Sequence, residues 1–126
     1  MTTKQFIQTA QFSDINGYSD EAQTIKSAWL YAGRSICRKL AKELGLEKGS
    51  FDVRVNPAGV AISGDIHLHG EFVYVAISQS CVKGFYWRFC DGKKDYCGKQ
   101  NRWESFEVLN DLPAFAKKIL SFENRA

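Results

Sequence analysis

Two stretches of this 126-residue chain combine residue types and spacings that could do chemistry. The first is Asp65-Ile66-His67-Leu68-His69, with Glu71 just beyond, in which a carboxylate and two imidazoles recur at every second position. Residues two apart share a face of a β-strand, so in extended backbone Asp65, His67 and His69 could converge on a divalent metal or form an acid-base pair. A metal-dependent hydrolase or nuclease is the activity such a face would support. Against it, the sequence places no further ligand beside them, and histidines alternating on the wet face of a strand commonly hold nothing. The expectation is therefore no metal and no other cofactor, with Asp65, His67, His69 and Glu71 kept as the alternative.

The cysteines do not strengthen that alternative. Cys90 and Cys97 are separated by six residues, wider than the two to four of a zinc knuckle, and a cysteine nucleophile would need His67 or His69 brought beside it in space. Four cysteines would suit a disulfide framework, but the polar start MTTKQFIQTAQ lacks the charged-then-apolar layout of a secretory signal. Cys37, Cys81, Cys90 and Cys97 are expected as free thiols in a reducing cytoplasm, Cys37 as a small buried apolar residue within a helix.

The second stretch runs from Phe85 to Trp103. Residues 83 to 103 carry six bases against two acids, whereas residues 51 to 82 carry one against three, so the basic excess is local. Bases interleaved with rings can neutralise phosphates and stack on nucleobases. In an extended segment Tyr86 and Arg88 share one face, while Phe85, Trp87 and Phe89 take the other and enter the core. Lys93, Lys94, Lys99 and Arg102 would supply charge, and Tyr86, Tyr96 and Trp103 contact area. The plainer reading is a solvated turn whose lysines confer solubility, and no base-reading module is present.

The elements that position these residues follow from periodicity. Val60, Ile62, Ile66 and Leu68 alternate with Ala61, Ser63, Asp65, His67 and His69, which is a strand pattern. Phe51, Val53 and Val55 precede it across the turn Asn56-Pro57-Ala58-Gly59, and Phe72 to Ile77 and Phe85 to Phe89 follow. Gly64 marks a bulge or a place where another backbone packs closely. Ile25, Trp29, Ala32, Ile36, Leu40 and Leu44 recur at helical spacing, predicting a helix from about Glu21 to Leu44 with Lys26, Arg34, Arg38 and Lys39 outside the apolar stripe. Asp111 and Pro113 open a final helix with Leu112, Phe115, Ile119 and Phe122 on one side. Residues 95 to 103 read as a loop or a short edge strand.

Grouped strands flanked by helices predict one α+β domain over 1–126, with an antiparallel sheet of about four strands in the order α-β-β-β-β-α. Residues 1–17 read as a loosely structured, mostly irregular arm, with a short helical or extended piece packed on the core as the alternative. Both helices are expected on one sheet face, with Asp65, His67 and His69 on the other. With 44% hydrophobic residues and two prolines the chain is an ordinary folded protein, and no run approaches the roughly 20 apolar residues of a membrane span.

Helix, strands, helix is also the chain order of double-stranded-RNA-binding domains, and Ala116-Lys117-Lys118 resembles their basic final helix. The lysines here lie late in the helix and the strands number four, so no RNA-contacting residue is carried over. Over about Trp29 to Trp103, the stretches GVAISGDIHLHGEFVYVAISQS and RFCDGKKDYCGKQNRW resemble short accessory proteins encoded by bacteriophages and prophages. That resemblance implies a bacterial cytoplasmic setting and binding of a host or viral macromolecule, as in inhibitors of bacterial defence. It supplies no catalytic residues. The resulting expectation is a non-catalytic module docking residues 86 to 103 on nucleic acid or on an acidic host protein. A homo-oligomer burying Phe85, Trp87 or Phe89 between subunits is a third reading.

Overall fold

The computed structural model describes residues 1–12, 19–58, 64–78, 84–96 and 99–122. Among them, α1 (Thr3–Phe12) and α2 (Asp20–Glu43) precede strands β1 (Asp52–Asn56), β2 (Asp65–His69), β3 (Val73–Ser78), β4 (Phe85–Phe89) and β5 (Arg102–Glu104). A 3-10 turn (Phe106–Asn110) leads into α3 (Leu112–Leu120). The strands form an antiparallel meander in the order β1-β2-β3-β4-β5. The protein is α+β.

Helix α2 begins and ends as its sequence dictates. Ser19 Oγ accepts the Ala22 N–H at 3.1 Å, and Asp20 and Glu21 sit at the positive end of the dipole. At the other end Gly45 takes φ +75, its N–H reaching Lys42 O and the Leu46 N–H reaching Ala41 O, both at 3.0 Å. That is the Schellman arrangement, which only a residue tolerant of left-handed backbone closes cheaply. α2 then crosses β2 so closely that a Cβ on Gly33 would lie 2.1 Å from Ile66 Cδ1.

One face of the sheet is saturated by this packing. Ile66 and Leu68, Val73, Val75 and Ile77, and Phe85, Trp87 and Phe89 join Trp29, Ile36 and Leu40 of α2 and Phe115 and Ile119 of α3 in one core. Phe85, Trp87 and Phe89 are therefore spent inside the chain, which corrects the reading that places them between subunits. Gly64 behaves as its position suggests: with φ +78, a Cβ there would lie 2.4 Å from the Asn56 carbonyl oxygen.

Three expectations change. Among the described residues the strands number five, because β5 pairs Tyr86 with Trp103 and Trp87 with Arg102. Three residues are too few to display alternation. What holds β5 comes from the helix side, where Glu104 accepts from Trp87 Nε1 at 3.0 Å and from Lys118 Nζ at 2.9 Å. The arm read as irregular contains α1, which sets Phe6, Ile7 and Ala10 in the core; residues 13–17 lie outside the described residues. Ten residues are too few for a stable isolated helix, so α1 exists by docking. Phe6 stacks on Trp29 with ring centroids 4.8 Å apart, and Trp29 Nε1 donates to the Phe6 carbonyl at 3.1 Å. Lys26, expected outside the stripe, is only 4% exposed, because it falls between Ala22 and Trp29 on the buried side of α2. Val60 to Ser63 and the 79–83 connection lie outside the described residues.

Two consequences are measurable. Phe6→Ala should lower unfolding free energy by about 3–5 kcal/mol in denaturant titration, as for other buried rings; a loss below about 1 kcal/mol would show that α1 is not docked. Burial pushes the Cys37 thiol up from 9.0 to about 12. The folded state thus keeps a proton that the unfolded chain releases, so this contribution is complete below pH 9 and is lost as pH climbs toward 12. The fall of Tm across that window should be shallower in Cys37→Ala than in wild type; parallel curves would contradict the assignment.

Candidate functional site

The strand pairings put two rows of side chains on the face away from the helices. Arg54, His67, Ala76, Tyr86 and Trp103 line up across β1 to β5, and Asp52, His69, Tyr74 and Arg88 line up beside them across β1 to β4. Parity of alternation sets this face: each residue is flanked by one that enters the core. The rings form a shelf. Tyr86 and Trp103 have centroids 5.3 Å apart, Tyr74 lies 6.5 Å from Tyr86, and Trp103 is 55% exposed. The Arg88 guanidinium lies over these rings, its carbon 4.4 Å from the Tyr74 centroid and 5.7 Å from that of Tyr86.

The connection from β4 to β5 doubles back over one end of this face. Arg88 donates to the Tyr96 carbonyl at 2.9 Å and to Asn101 Oδ1 at 3.1 Å. His69 Nε2 donates to the Gly92 carbonyl at 3.0 Å, and its ring is met edge-on by Tyr74 and Tyr96. Arg54 Nη1 donates to Tyr96 Oη at 3.2 Å. Lys93 Nζ reaches Gly49 O at 3.3 Å and Asp52 at 3.5 Å, so the connection spans from β4 to β1. Between it and the strands lies a cleft of about 220 Å³ lined by Arg54, His67, His69, Tyr74 and Tyr96.

His67 is held in a relay. Its Nε2 donates to Asp65 Oδ1 at 2.9 Å, and Tyr74 O–H donates to its Nδ1. Burial, then the neighbouring Tyr86, push the Tyr74 phenol above its ordinary pKa, with Arg88 opposing. Tyr74 is thus a protonated donor at neutral pH. His69 is different: it is 2% exposed, and its Nδ1 has no partner among the described residues.

Of the residues proposed from sequence, Tyr86, Arg88, Tyr96 and Trp103 are brought together. Arg102 is not: its guanidinium turns to the opposite face, 4.3 Å from the Phe122 centroid, because β5 alternates with Trp103 outward. Lys93 is tied to β1, Lys99 pairs with Asp91 at 3.2 Å, and Lys94 is exposed on the turn. Charge on this face comes instead from Arg54 and Arg88. Arg54 and Tyr74 were missing from the sequence-based set although parity signals both: Arg54 alternates with Val53 and Val55, Tyr74 with Val73 and Val75.

Asp65, His67 and His69 share the expected face but do not form a ligand set, since Asp65 and both nitrogens of His67 bind one another or Tyr74, and His69 Nε2 is on a carbonyl. Among the described residues, no group of three or more His, Cys, Asp and Glu side chains could hold a metal ion. Glu71 is exposed in the turn after β2. Cys37 and Cys90 are buried free thiols, Cys90 donating to the Gly70 carbonyl at 3.4 Å with its pKa raised by burial; Cys81 and Cys97 lie outside the described residues. Among the described residues no helix is long and apolar enough to cross a membrane. No protein-family model matches the chain, and neither a curated protein nor a solved structure is significantly similar to it.

Reactivity follows thiolate content. Peptides carrying Cys37 and Cys90 should stay unlabelled by iodoacetamide at neutral pH in the folded protein and label fully in denaturant, read by mass spectrometry. Rapid labelling of either under native conditions would overturn the assignment of both as buried, idle thiols.

Proposed function

We propose that the protein is a non-catalytic module that binds single-stranded nucleic acid on the open face of its sheet. The observation that carries this is the shelf of half-buried Tyr86 and exposed Trp103, ring centroids 5.3 Å apart, with the Arg88 guanidinium carbon 5.7 Å from the Tyr86 centroid. Nucleobases stack on such rings for about 1–3 kcal/mol each regardless of sequence, and a planar guanidinium extends the platform while offering a fork to phosphate. An exposed apolar surface rimmed by polar groups marks an interaction site. Electrostatics take second place, because Asp52 and Asp65 lie on the same face as Arg54 and Arg88. Resemblance to short phage and prophage accessory proteins supports a cytoplasmic setting in a bacterial cell, with host or viral nucleic acid as the partner. A metal-dependent hydrolase draws no support from Asp65, His67 and His69, since the Asp65 carboxylate and both His67 nitrogens are engaged with one another or with Tyr74 and His69 Nε2 is on the Gly92 carbonyl.

Binding of a fluorescent mixed-sequence oligonucleotide, followed by anisotropy, tests the reading. Trp103→Ala and Tyr86→Ala should each weaken binding by roughly 5- to 150-fold, the range that 1–3 kcal/mol of stacking implies. With two guanidiniums on phosphates, log K should fall with log salt with a slope of about −1.4. Lys117→Gln on α3 should leave affinity unchanged. No binding at low salt, or binding indifferent to Trp103 and Tyr86, would overturn it.

A further inference from the structure

The cleft beside the shelf has a lining that the shelf alone does not explain. Among the described residues it is lined by Arg54, His67, His69, Tyr74 and Tyr96, all basic or phenolic, with the Asp65 carboxylate bonded to His67 and that of Asp52 3.5 Å from Arg54 Nη2. At about 220 Å³ it is smaller than the roughly 300–1,000 Å³ of pockets that enclose a drug-sized molecule, so it has room for a group rather than for a whole nucleotide. We infer that this cleft is the subsite for one phosphate of the bound strand, an inference that rests on the nucleic-acid reading above.

Hydrogen-bond accounting supports an oxyanion there. Arg54 spends Nη1 on Tyr96 Oη at 3.2 Å, while its Nη2 contact with Asp52 is 3.5 Å, long for a hydrogen bond. A guanidinium has five N–H donors, so most of the fork is available to a stronger acceptor. Tyr96 Oη accepts from Arg54, and because Tyr96 is exposed its own proton can pass from water to a ligand. The opposite wall is rigid, because Tyr74, His67 and Asp65 are chained by hydrogen bonds. Position agrees as well. Arg54 and His67 lie in the same cross-sheet row as Tyr86 and Trp103, separated from them only by Ala76. At about 4.8 Å per strand, the row from Arg54 to Trp103 spans roughly 19 Å, a length that a short single strand covers. Ala76 leaves the middle of the row low, between the rings and the cleft.

Phosphate oxygens reach such a cleft from an internal phosphodiester or from a terminal monoester, and the experiment separates them. Oligonucleotides of one sequence are compared with a 5′-phosphate, with a 3′-phosphate and with neither, against wild type, Arg54→Gln, Arg54→Lys and Tyr96→Phe, while inorganic phosphate is titrated alone against the imidazole resonances of His67. Inorganic phosphate is expected to shift those resonances at millimolar concentration in wild type and not in Arg54→Gln. Arg54→Gln should weaken oligonucleotide binding about 10-fold and flatten the salt slope by about 0.7, the increment for one phosphate on a single strand. Arg54→Lys should restore the slope but only part of the affinity, because an ammonium lacks the fork. Tighter binding of one phosphorylated end, lost in Arg54→Gln, assigns the monoester; equal loss for all three oligonucleotides assigns the internal phosphodiester.

Either pattern supports the inference. If Arg54→Gln and Tyr96→Phe leave affinity and slope unchanged while Trp103→Ala still weakens binding, the cleft is not a phosphate subsite and the shelf reading survives. If no oligonucleotide binds wild type, the shelf reading fails, and a phosphate titration without effect on His67 then removes the cleft as well.

Discussion

The surface proposed to recognise a partner depends on one packing constraint: the buried faces of α2 and α3 are committed to a single face of the sheet. Trp29, Leu40, Phe115 and Ile119 close over Ile66, Leu68, Val75 and Trp87 in one core. Because side chains alternate along a strand, every residue driven into that core obliges its neighbour to face the other way. Burial of that one face supplies the stability, and the opposite face is left free to vary. Fully burying a large apolar side chain is worth about 1.5–3 kcal/mol, so an aromatic shelf left in water holds stabilisation that folding has not used and a stacked ligand can recover.

Competition among polar groups then shapes that face. Arg88 is stacked and tied to the β4 to β5 connection, so it is positioned before any partner arrives. Arg54 is the opposite case: its ties to Tyr96 and Asp52 are at 3.2 Å and 3.5 Å, at an edge strand where water competes. A weakly engaged guanidinium beside a fixed one divides the labour, Arg88 meeting the strand from a set position beside the rings and Arg54 free to turn toward its own phosphate. Asp52 and Asp65 keep the face from being strongly positive. That limits indiscriminate attraction to polyanions and places the weight of binding on contact area.

How much of this was legible in the residues varies by element, and the reasons are physical. Helix α2 is readable from its spacing and both caps, and β4 from Phe85, Trp87 and Phe89 alternating with Tyr86 and Arg88. The parity of β2 correctly places Asp65, His67 and His69 away from the helices. α1 and β5 are readable only as one of two alternatives, a short helical or extended piece of the arm and a loop or short edge strand, because each owes its existence to tertiary partners: α1 to the stack of Phe6 on Trp29, β5 to Glu104 held by Trp87 and Lys118. The basic cluster was misweighted for a related reason. Counting charges along the chain groups Lys93, Lys94, Lys99 and Arg102, but strand parity sends Arg102 to the core side, and Asp52 and Asp91 engage two of the lysines. Register, which local pattern does not reveal, brings Arg54 level with His67.

The most direct test of the central claim, that the open sheet face is where the protein meets its partner, uses the three tryptophans as reporters. Trp29 and Trp87 are fully buried among the helices and Trp103 stands on the shelf. Titration with a single-stranded oligonucleotide, followed by the indole N–H resonances, should shift the Trp103 signal progressively while those of Trp29 and Trp87 hold still. Movement of the buried pair with Trp103 unmoved, or no movement of any of the three, would contradict the account.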